Sequence, residues 1–129
     1  MQSSAQPQRV ITREQLPVAA EQFLSEYFPS ADIATLSEQS AFAGREYDVF
    51  FHNGTHIEFS SAGEWREVSS REALPQGIVP PTIQAYVSEH YPSQSIRHIE
   101  RSRKEWEVGL ANGFELKFDR DFRLIDVDD

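Results

Sequence analysis

Four histidines are the residues best suited to hold a metal ion or to move a proton. His52 and His56 lie four residues apart in one segment, so a turn between them could bring both to one ion, whereas His90 and His98 lie much further along the chain. A zinc site in a protein takes three or four ligands, and no third ligand can be placed beside His52 and His56. We therefore expect no metal site and no cofactor, and we interpret these two histidines as exposed hairpin residues.

The C-terminal segment is rich in aspartate, whose carboxylate oxygens are the usual ligands of calcium. Its members are Asp119, Asp121, Asp126, Asp128 and Asp129. They lack the spacing, the central glycine and the terminal glutamate of an EF-hand loop. An acidic last strand, which protects an exposed sheet edge from aggregation, explains them better.

No group of residues has the spacing of a catalytic site. The chain has no cysteine, which excludes thiol catalysis and disulfides. No serine stands in the Gly-x-Ser-x-Gly elbow of the hydrolases, and no Ser-His-Asp set can be placed from position alone. Glu105 and Glu107 resemble a carboxylate pair, but charged residues commonly alternate along the outer face of a strand. We expect no catalytic residues and no enzyme activity.

The strongest pattern in the chain is an internal repeat, which indicates a tandem duplication. The matching segments are Leu16-Pro17 and Val79-Pro80, Tyr27-Phe28-Pro29 and His90-Tyr91-Pro92, Tyr47-Asp48-Val49 and Trp106-Glu107-Val108, and Asn53-Gly54 and Asn112-Gly113. We predict a flexible tail over 1–13 and a single domain over 14–129. Within that domain we place repeat one at 14–68, a linker at 69–78 and repeat two at 79–129.

Each repeat is predicted to begin with a helix that packs on a sheet. Pro17 and Pro80 suit the first helical turn, and Pro29 and Pro92 end the helices because the residue before proline avoids helical dihedral angles. Apolar residues at spacings of three and four predict core packing for one face of each helix. These residues are Leu16, Ala20, Phe23, Leu24, Tyr27 and Phe28 in repeat one, and Ile83, Tyr86, Val87 and Tyr91 in repeat two.

Strands with alternating apolar residues follow each helix, with Asn-Gly between two of them. A two-residue turn would put Ile57 and Phe59 on the wrong face of the sheet, so a three-residue loop is required. Gly54 and Gly113 then take the left-handed position of a type I turn with a G1 bulge. The pairs that follow are Val49 with Ile57, Tyr47 with Phe59, Val108 with Leu116 and Trp106 with Phe118.

The same alternation leaves one face of the sheet uncovered by helices. Its predicted residues are Phe50, His56, Glu58 and Arg66 from repeat one, with Glu105, Glu107, Glu115 and Lys117 from repeat two. An aromatic residue among charged ones is typical of a protein-binding surface. A second interpretation stays open, in which Phe50 is an ordinary exposed apolar residue without a function.

The net charge and the lack of a long apolar run exclude two classes of partner, nucleic acids and the interior of a membrane. The 129 residues include 12 basic and 21 acidic ones, for a net charge of −9, which would repel a nucleic-acid backbone. No apolar run approaches the roughly 20 residues that span a bilayer.

The polar segment after Met1 has no basic or apolar part of a signal peptide, and it would suit the N-terminus of an exported protein whose leader has been removed.

The ordered pattern of motifs over Leu16 to Asp129 resembles the PepSY-like family of exported bacterial proteins. Repeat two matches most fully, through Tyr91-Pro92, Asn112-Gly113, Phe118-Asp119 and the acidic end Asp126-Val127-Asp128, whereas repeat one has Ser60 in place of Asp119. The resemblance implies a shape similar to β-lactamase-inhibitory protein. The expected fold is α+β, with two tandem helix-plus-strand repeats and both helices on one face of a continuous, curved antiparallel sheet. The resemblance also implies export to the periplasm or the cell surface, and it brings no catalytic residues.

Together these observations predict a non-catalytic protein-binding module of the bacterial envelope that uses the open sheet face. Inhibition of the bound protein is one form that such binding can take. Two alternatives stay open: a structural or accessory domain that associates with itself, and a carrier of a metal or a small ligand. The sequence names neither the partner nor the oligomeric state.

Overall fold

The computed structural model describes residues 8–42 and 44–129. Its helices are a short 3-10 turn, Arg13–Gln15, and two α-helices, α1 (Val18–Tyr27) and α2 (Pro81–His90). Its strands are β1 (Arg9–Val10), β2 (Ile33–Ala41), β3 (Gly44–Phe51), β4 (His56–Phe59), β5 (Trp65–Ser69), β6 (Ile96–Arg101), β7 (Glu105–Leu110), β8 (Glu115–Asp119) and β9 (Leu124–Asp128).

The strands form one open antiparallel sheet of nine strands, in which spatial order follows chain order from β1 to β9. The predicted mixed fold with one continuous antiparallel sheet is therefore confirmed. Tandem duplication, the curvature of the sheet and the placement of both helices on one face stay predictions. The chain divides into two compact units, unit 1 up to Arg66 and unit 2 from Glu67. This division falls within β5, whose residues Glu67 to Ser69 pair with β6, and the predicted repeat and linker bounds stay predictions.

The core of unit 1 forms where α1 packs on the apolar face of β3 and β4. Pro17 precedes the helix, and Pro29 follows its end. The helix buries Ala20 and Leu24, and the ring of Phe23 meets Phe59 edge to face at 5.7 Å. Val49, Ile57 and Phe59 are fully buried beneath it, as the period-two pattern predicted.

Unit 2 follows the same principle with α2. Pro80 precedes this helix, and its buried residues are Ile83 and Val87. The ring of Tyr86 meets Phe118 edge to face at 5.5 Å. Val108, Leu116 and Phe118 supply the apolar face of the sheet and are fully buried. No helix in the described parts of the chain is long and apolar enough to cross a membrane.

The predicted register of both Asn-Gly hairpins is confirmed. Val49 lies opposite Ile57 and Tyr47 opposite Phe59, while Val108 lies opposite Leu116 and Trp106 opposite Phe118. Each loop is closed by a backbone hydrogen bond of 2.9 Å, from the Phe51 amide to the Thr55 carbonyl and from the Leu110 amide to the Phe114 carbonyl. Gly54 and Gly113 have φ angles of 91° and 94°, so both take the left-handed position that the register requires.

Ordered structure begins earlier in the chain than the sequence predicted. Residues 1–7 of the predicted tail lie outside the described residues, but Arg9 and Val10 pair with β2 and Ile11 is buried. The buried carboxylate of Glu38 accepts hydrogen bonds from Arg9 and Arg45, which fastens this segment to the sheet. The β2 strand pairs with β3 from Ile33, opposite Phe51, to Ala41, opposite Gly44.

We expect Gly113→Val to lower the free energy of unfolding by about 1–2 kcal/mol, because a β-branched residue resists a positive φ. A Cβ atom at this position would meet no heavy atom within 4 Å, so the loss would report backbone strain and not a clash. Gly113→Asn is the control and should cost less, since asparagine tolerates this region. Urea unfolding of the three proteins measures the difference. Equal stability of Gly113→Val and the parent would contradict the loop conformation.

Candidate functional site

In unit 1 the outward face of β3 and β4 carries an ordered aromatic pair. Phe50 lies between the buried Val49 and Phe51, so its side chain points to the opposite face and is 42% exposed. His56, its cross-strand partner, stacks on it with ring centroids 4.2 Å apart and planes 10° from parallel. The His56 Nε2 atom lies 2.8 Å from the Asp48 Oδ1 atom, which fixes the imidazole ring. The three side chains therefore form a preorganised cluster, which we call the Phe50 cluster.

The other two predicted residues of unit 1 flank this cluster. Glu58 lies opposite Asp48 in the β3–β4 pair, on the same face. Arg66 is exposed on β5, and its guanidinium lies 4.0 Å from the Glu46 carboxylate. An exposed pair at this distance adds little stability, so Arg66 can exchange Glu46 for another acidic group at small cost.

His56 is not the exposed hairpin residue that the sequence predicted. Its side chain is 25% exposed, and Asp48 beneath it only 11%, because ring stacking and the hydrogen bond cover both. His52 does lie exposed in the turn. His90 lies elsewhere, at the end of α2, where its ring stacks on Tyr86 at 4.0 Å. The two histidines that lie four residues apart in the sequence therefore have different surroundings, His52 exposed in the turn and His56 covered on the strand face.

In unit 2 the outward face is dominated by carboxylates. One cross-strand row runs from β5 to β9 through successive paired residues, namely Glu67, Glu100, Glu107, Lys117 and Asp126. Like charges that lie directly opposite each other destabilise a sheet. Two such contacts, Glu67 with Glu100 and Glu100 with Glu107, therefore lower the stability of this part of the sheet.

The electrostatic cost is concentrated at Glu107. Burial raises its pKa above the usual range, and the nearby carboxylates of Glu115 and Glu100 raise it further. Glu105, two residues earlier on β7, has a different environment, because its carboxylate lies 3.7 Å from the Lys117 ammonium. The four predicted residues of unit 2 therefore lie together on this face. Among them Glu107 has the raised pKa, and Lys117 supplies the nearby positive charge.

His98 lies beside this row on β6. Its Nε2 atom is 2.8 Å from the Glu67 Oε2 atom, and donor atoms of Glu67, His98 and Glu100 all lie within 4.8 Å of one another. Across the strand pair stands Gly109, where a Cβ atom would come 3.1 Å from the His98 Cβ atom. A glycine at this position therefore makes room for the imidazole.

The C-terminal aspartates have structural roles or outward positions in place of an EF-hand arrangement. The Asp119 carboxylate accepts hydrogen bonds from the backbone amides of Asp121 and Arg123, at 2.9 and 3.0 Å, and so caps the β8–β9 turn. Ser60 does the same in unit 1 through its hydroxyl, at 3.3 Å from the amides of Ala62 and Glu64. A serine can thus replace the acid because the turn needs an acceptor and not a charge.

Sequence reasoning missed Asp48 as the partner of His56, and it did not bring Glu67 and His98 together. The Asp48 contact was within reach, because diagonal neighbours in the predicted β3–β4 register can touch. The Glu67 contact was not, because β5 and β6 are separated by α2 and no hairpin rule gives their register. No described residues form a nucleophile, base and orienting acid in contact, and the prediction that the chain is not an enzyme stays a prediction.

We expect Glu107→Gln to raise the free energy of unfolding at neutral pH by about 0.5 kcal/mol. The raised pKa means that ionisation of Glu107 costs more in the folded chain than in the unfolded one. Its stabilising contribution is therefore present at low pH and is lost as pH rises through the folded pKa. The advantage of the variant should disappear below the ordinary glutamate pKa of about 4.3. Chemical unfolding across this pH range measures it.

Glu105→Gln is the matched control. It removes a carboxylate from the same strand face, but this carboxylate lies 3.7 Å from the Lys117 ammonium in the parent protein. We expect no gain in stability from this variant at any pH. A gain equal to that of Glu107→Gln would show that general acidity, and not the environment of Glu107, explains the effect.

The profile of a protein family described as "Putative beta-lactamase-inhibitor-like, PepSY-like" matches residues 45–126. No curated protein matches the chain. Among solved structures, the chain is similar to a putative periplasmic protein of the DUF2874 family from Bacteroides vulgatus, with 37% identity and a TM-score of 0.92 over 95% of this chain and 97% of that one.

Two further structures are similar over 95% of this chain. One is a putative calcium-regulated periplasmic protein from Bacteroides thetaiotaomicron, with 39% identity, a TM-score of 0.91 and 97% of its own chain covered. The other is a putative periplasmic protein of unknown function from Bacteroides vulgatus, with 31% identity, a TM-score of 0.87 and 100% of its chain covered. Since the profile covers more than half of the sequence and these relatives span nearly all of it, the chain belongs to the PepSY-like family.

Proposed function

We propose that this protein is a non-catalytic protein-binding module of the bacterial envelope and that the Phe50 cluster is the centre of its contact surface. The observation that carries the proposal is the exposed ring of Phe50, held in place by stacking on His56. A rigid aromatic side chain surrounded by polar residues is the usual form of an interface hot spot.

Preorganisation is what separates Phe50 from an ordinary exposed apolar residue. Binding costs free energy whenever a mobile side chain must be fixed at the interface. The hydrogen bond between Asp48 and His56 holds the imidazole, and the imidazole holds the Phe50 ring. Part of the free energy needed to fix the Phe50 side chain is therefore already spent on folding, before a partner binds.

The helices are less suited to this role. Ala20 and Leu24 of α1 and Ile83 and Val87 of α2 are directed to the core, whereas Val18 at the start of α1 is exposed. Their opposite faces carry polar residues such as Gln22 and Ser25. A partner that docks through apolar contacts would therefore find more to bind on the strands.

The description of the relatives supports the envelope as the site of action. Three similar structures are of proteins described as periplasmic, and the family description includes likeness to a β-lactamase inhibitor. We place this chain in the periplasm or at the cell surface on that basis. Inhibition of the bound protein is the form of binding that the family description favours.

Self-association is the second candidate, and the last strand favours it. On β9, Leu124, Ile125 and Val127 are exposed, and the strand stands at the end of the sheet order. An edge strand with exposed apolar residues can pair with another chain. Chromatographic mass at two protein concentrations separates the candidates, because a self-associating domain gains mass with concentration and a monomeric binding module does not.

The sharpest test of the first candidate is a photo-crosslinking phenylalanine analogue at position 50, with the same analogue at position 42 as control. Phe42 is fully exposed on the β2–β3 hairpin, so it matches Phe50 in chemistry and differs in surroundings. We expect one envelope protein to be crosslinked from position 50 and not from position 42. The reverse result, or identical products from both positions, would contradict the proposal.

The recovered partner then allows a measurement of affinity. We expect Phe50→Ala to weaken binding by about 30-fold, which corresponds to the loss of about 2 kcal/mol typical of a hot-spot residue. Phe42→Ala should leave the affinity unchanged, and both variants should keep the parent's thermal stability because both rings are exposed. Unchanged binding by Phe50→Ala would overturn the assignment of the surface.

A further inference from the structure

Unit 2 holds a mixed set of donor atoms on its outward face. A single imidazole nitrogen, from His98, and two carboxylate oxygens, from Glu67 and Glu100, lie within 4.8 Å of one another. His98 and Glu67 are largely covered, with side-chain exposures of 21% and 29%. This set differs from a surface patch of acids because one member is a nitrogen donor, which is in contact with a carboxylate of the same set.

Strand geometry brings the three residues together. His98 and Glu100 are two residues apart on β6, so their side chains leave the strand on the same side. Glu67 on β5 lies opposite Glu100 and diagonal to His98. The three donors thus come from two hydrogen-bonded strands, and no loop movement is required to bring them together.

The donor atoms lie close enough to meet at one small divalent ion after side-chain rotation. Zinc binds imidazole nitrogen and carboxylate oxygen at about 2.0–2.2 Å, so two donors of a tetrahedral site lie about 3.4 Å apart. The 2.8 Å contact between the His98 Nε2 and Glu67 Oε2 atoms is a hydrogen bond, so metal binding would displace the proton between them and the two atoms would move slightly apart. The donors lie within 4.8 Å of one another, so the widest pair would close by about 1.4 Å, a movement within reach of the exposed Glu100 side chain.

The residues around the donors fit an ion as well. Gly109 lies against His98, because a Cβ atom at this position would come 3.1 Å from the His98 Cβ atom and 3.5 Å from its Nδ1 atom. Glu107 adds a third carboxylate to the cross-strand row next to Glu100. A bound cation would offset the repulsion between these like charges. Along the row itself the first positively charged residue is Lys117, which follows Glu107.

We propose that Glu67, His98 and Glu100 bind one divalent transition-metal ion of the zinc class, with water in the remaining coordination position. The nitrogen donor distinguishes this ion from calcium, which takes six to eight oxygen ligands. The site lies in unit 2 and does not depend on the Phe50 cluster. The chain would bind the metal whether or not a protein partner docks on unit 1.

Isothermal titration of the chelator-treated, untagged full chain with zinc chloride tests the site, with calcium chloride as a parallel titration. We expect one zinc ion per chain and no calcium binding at the same concentrations. His98→Ala and Glu100→Gln should each weaken zinc binding at least tenfold. Glu100 is exposed, so its variant keeps the fold and remains informative even where His98→Ala loses stability.

His56→Ala is the matched control, because His56 also pairs with a carboxylate at 2.8 Å but lies in unit 1 and does not belong to the donor set of unit 2. It should bind zinc as the parent does. Gly109→Val should weaken zinc binding although every donor atom remains, because its side chain would displace the His98 ring. Replacement of zinc by cobalt should give an absorption spectrum of a nitrogen-and-oxygen ligand set that His98→Ala abolishes.

Three outcomes would overturn the proposal. The parent could fail to bind zinc, it could bind calcium as tightly as zinc, or His98→Ala and Glu100→Gln could bind zinc as the parent does. The protein-binding proposal would survive each of them, because its tests at Phe50 involve none of these residues.

Discussion

The outward side chains of β4 and β8 depend on the two three-residue loops that end at Gly54 and Gly113. A strand presents alternate residues to opposite faces, so a loop shorter by one residue would exchange the buried and exposed sets of β4 and β8. The positive φ angles of the two glycines make the longer loop possible. Asn53 and Asn112 support it, since their side-chain oxygens accept hydrogen bonds from the backbone amides of Thr55 and Phe114 at 2.9 and 3.0 Å.

Although their Asn-Gly loops have the same conformation, the two units carry different side chains on the outward face. Phe50 and Gly109 occupy the same place in their hairpins, opposite His56 and Glu115 respectively. In unit 1 the phenylalanine ring fills the space and stacks on the histidine of the neighbouring strand. In unit 2 the glycine leaves that space to His98, which lies against Glu67. The same backbone thus supports an aromatic cluster in one unit and a set of metal-type donors in the other.

Local pattern was enough to predict the helices, the hairpin registers and the exposure of Phe50. Proline positions bound both helices, and the alternation of apolar residues allows only one loop length for each Asn-Gly turn. It was not enough for His98, whose role depends on a contact with Glu67 on a strand that no hairpin joins to its own. The pairing of β5 with β6 spans an intervening helix, so no turn chemistry specifies which residue of β5 faces His98.

Cysteine scanning tests the loop register most directly, because the chain has no native cysteine to interfere. Single cysteines at positions 115 to 119 of β8 would be labelled with a thiol reagent in the native protein, and each rate would be divided by the rate in denaturant. We expect strict alternation, with fast labelling at 115, 117 and 119 and slow labelling at 116 and 118. Equal rates along the strand, or the opposite alternation, would contradict the loop register.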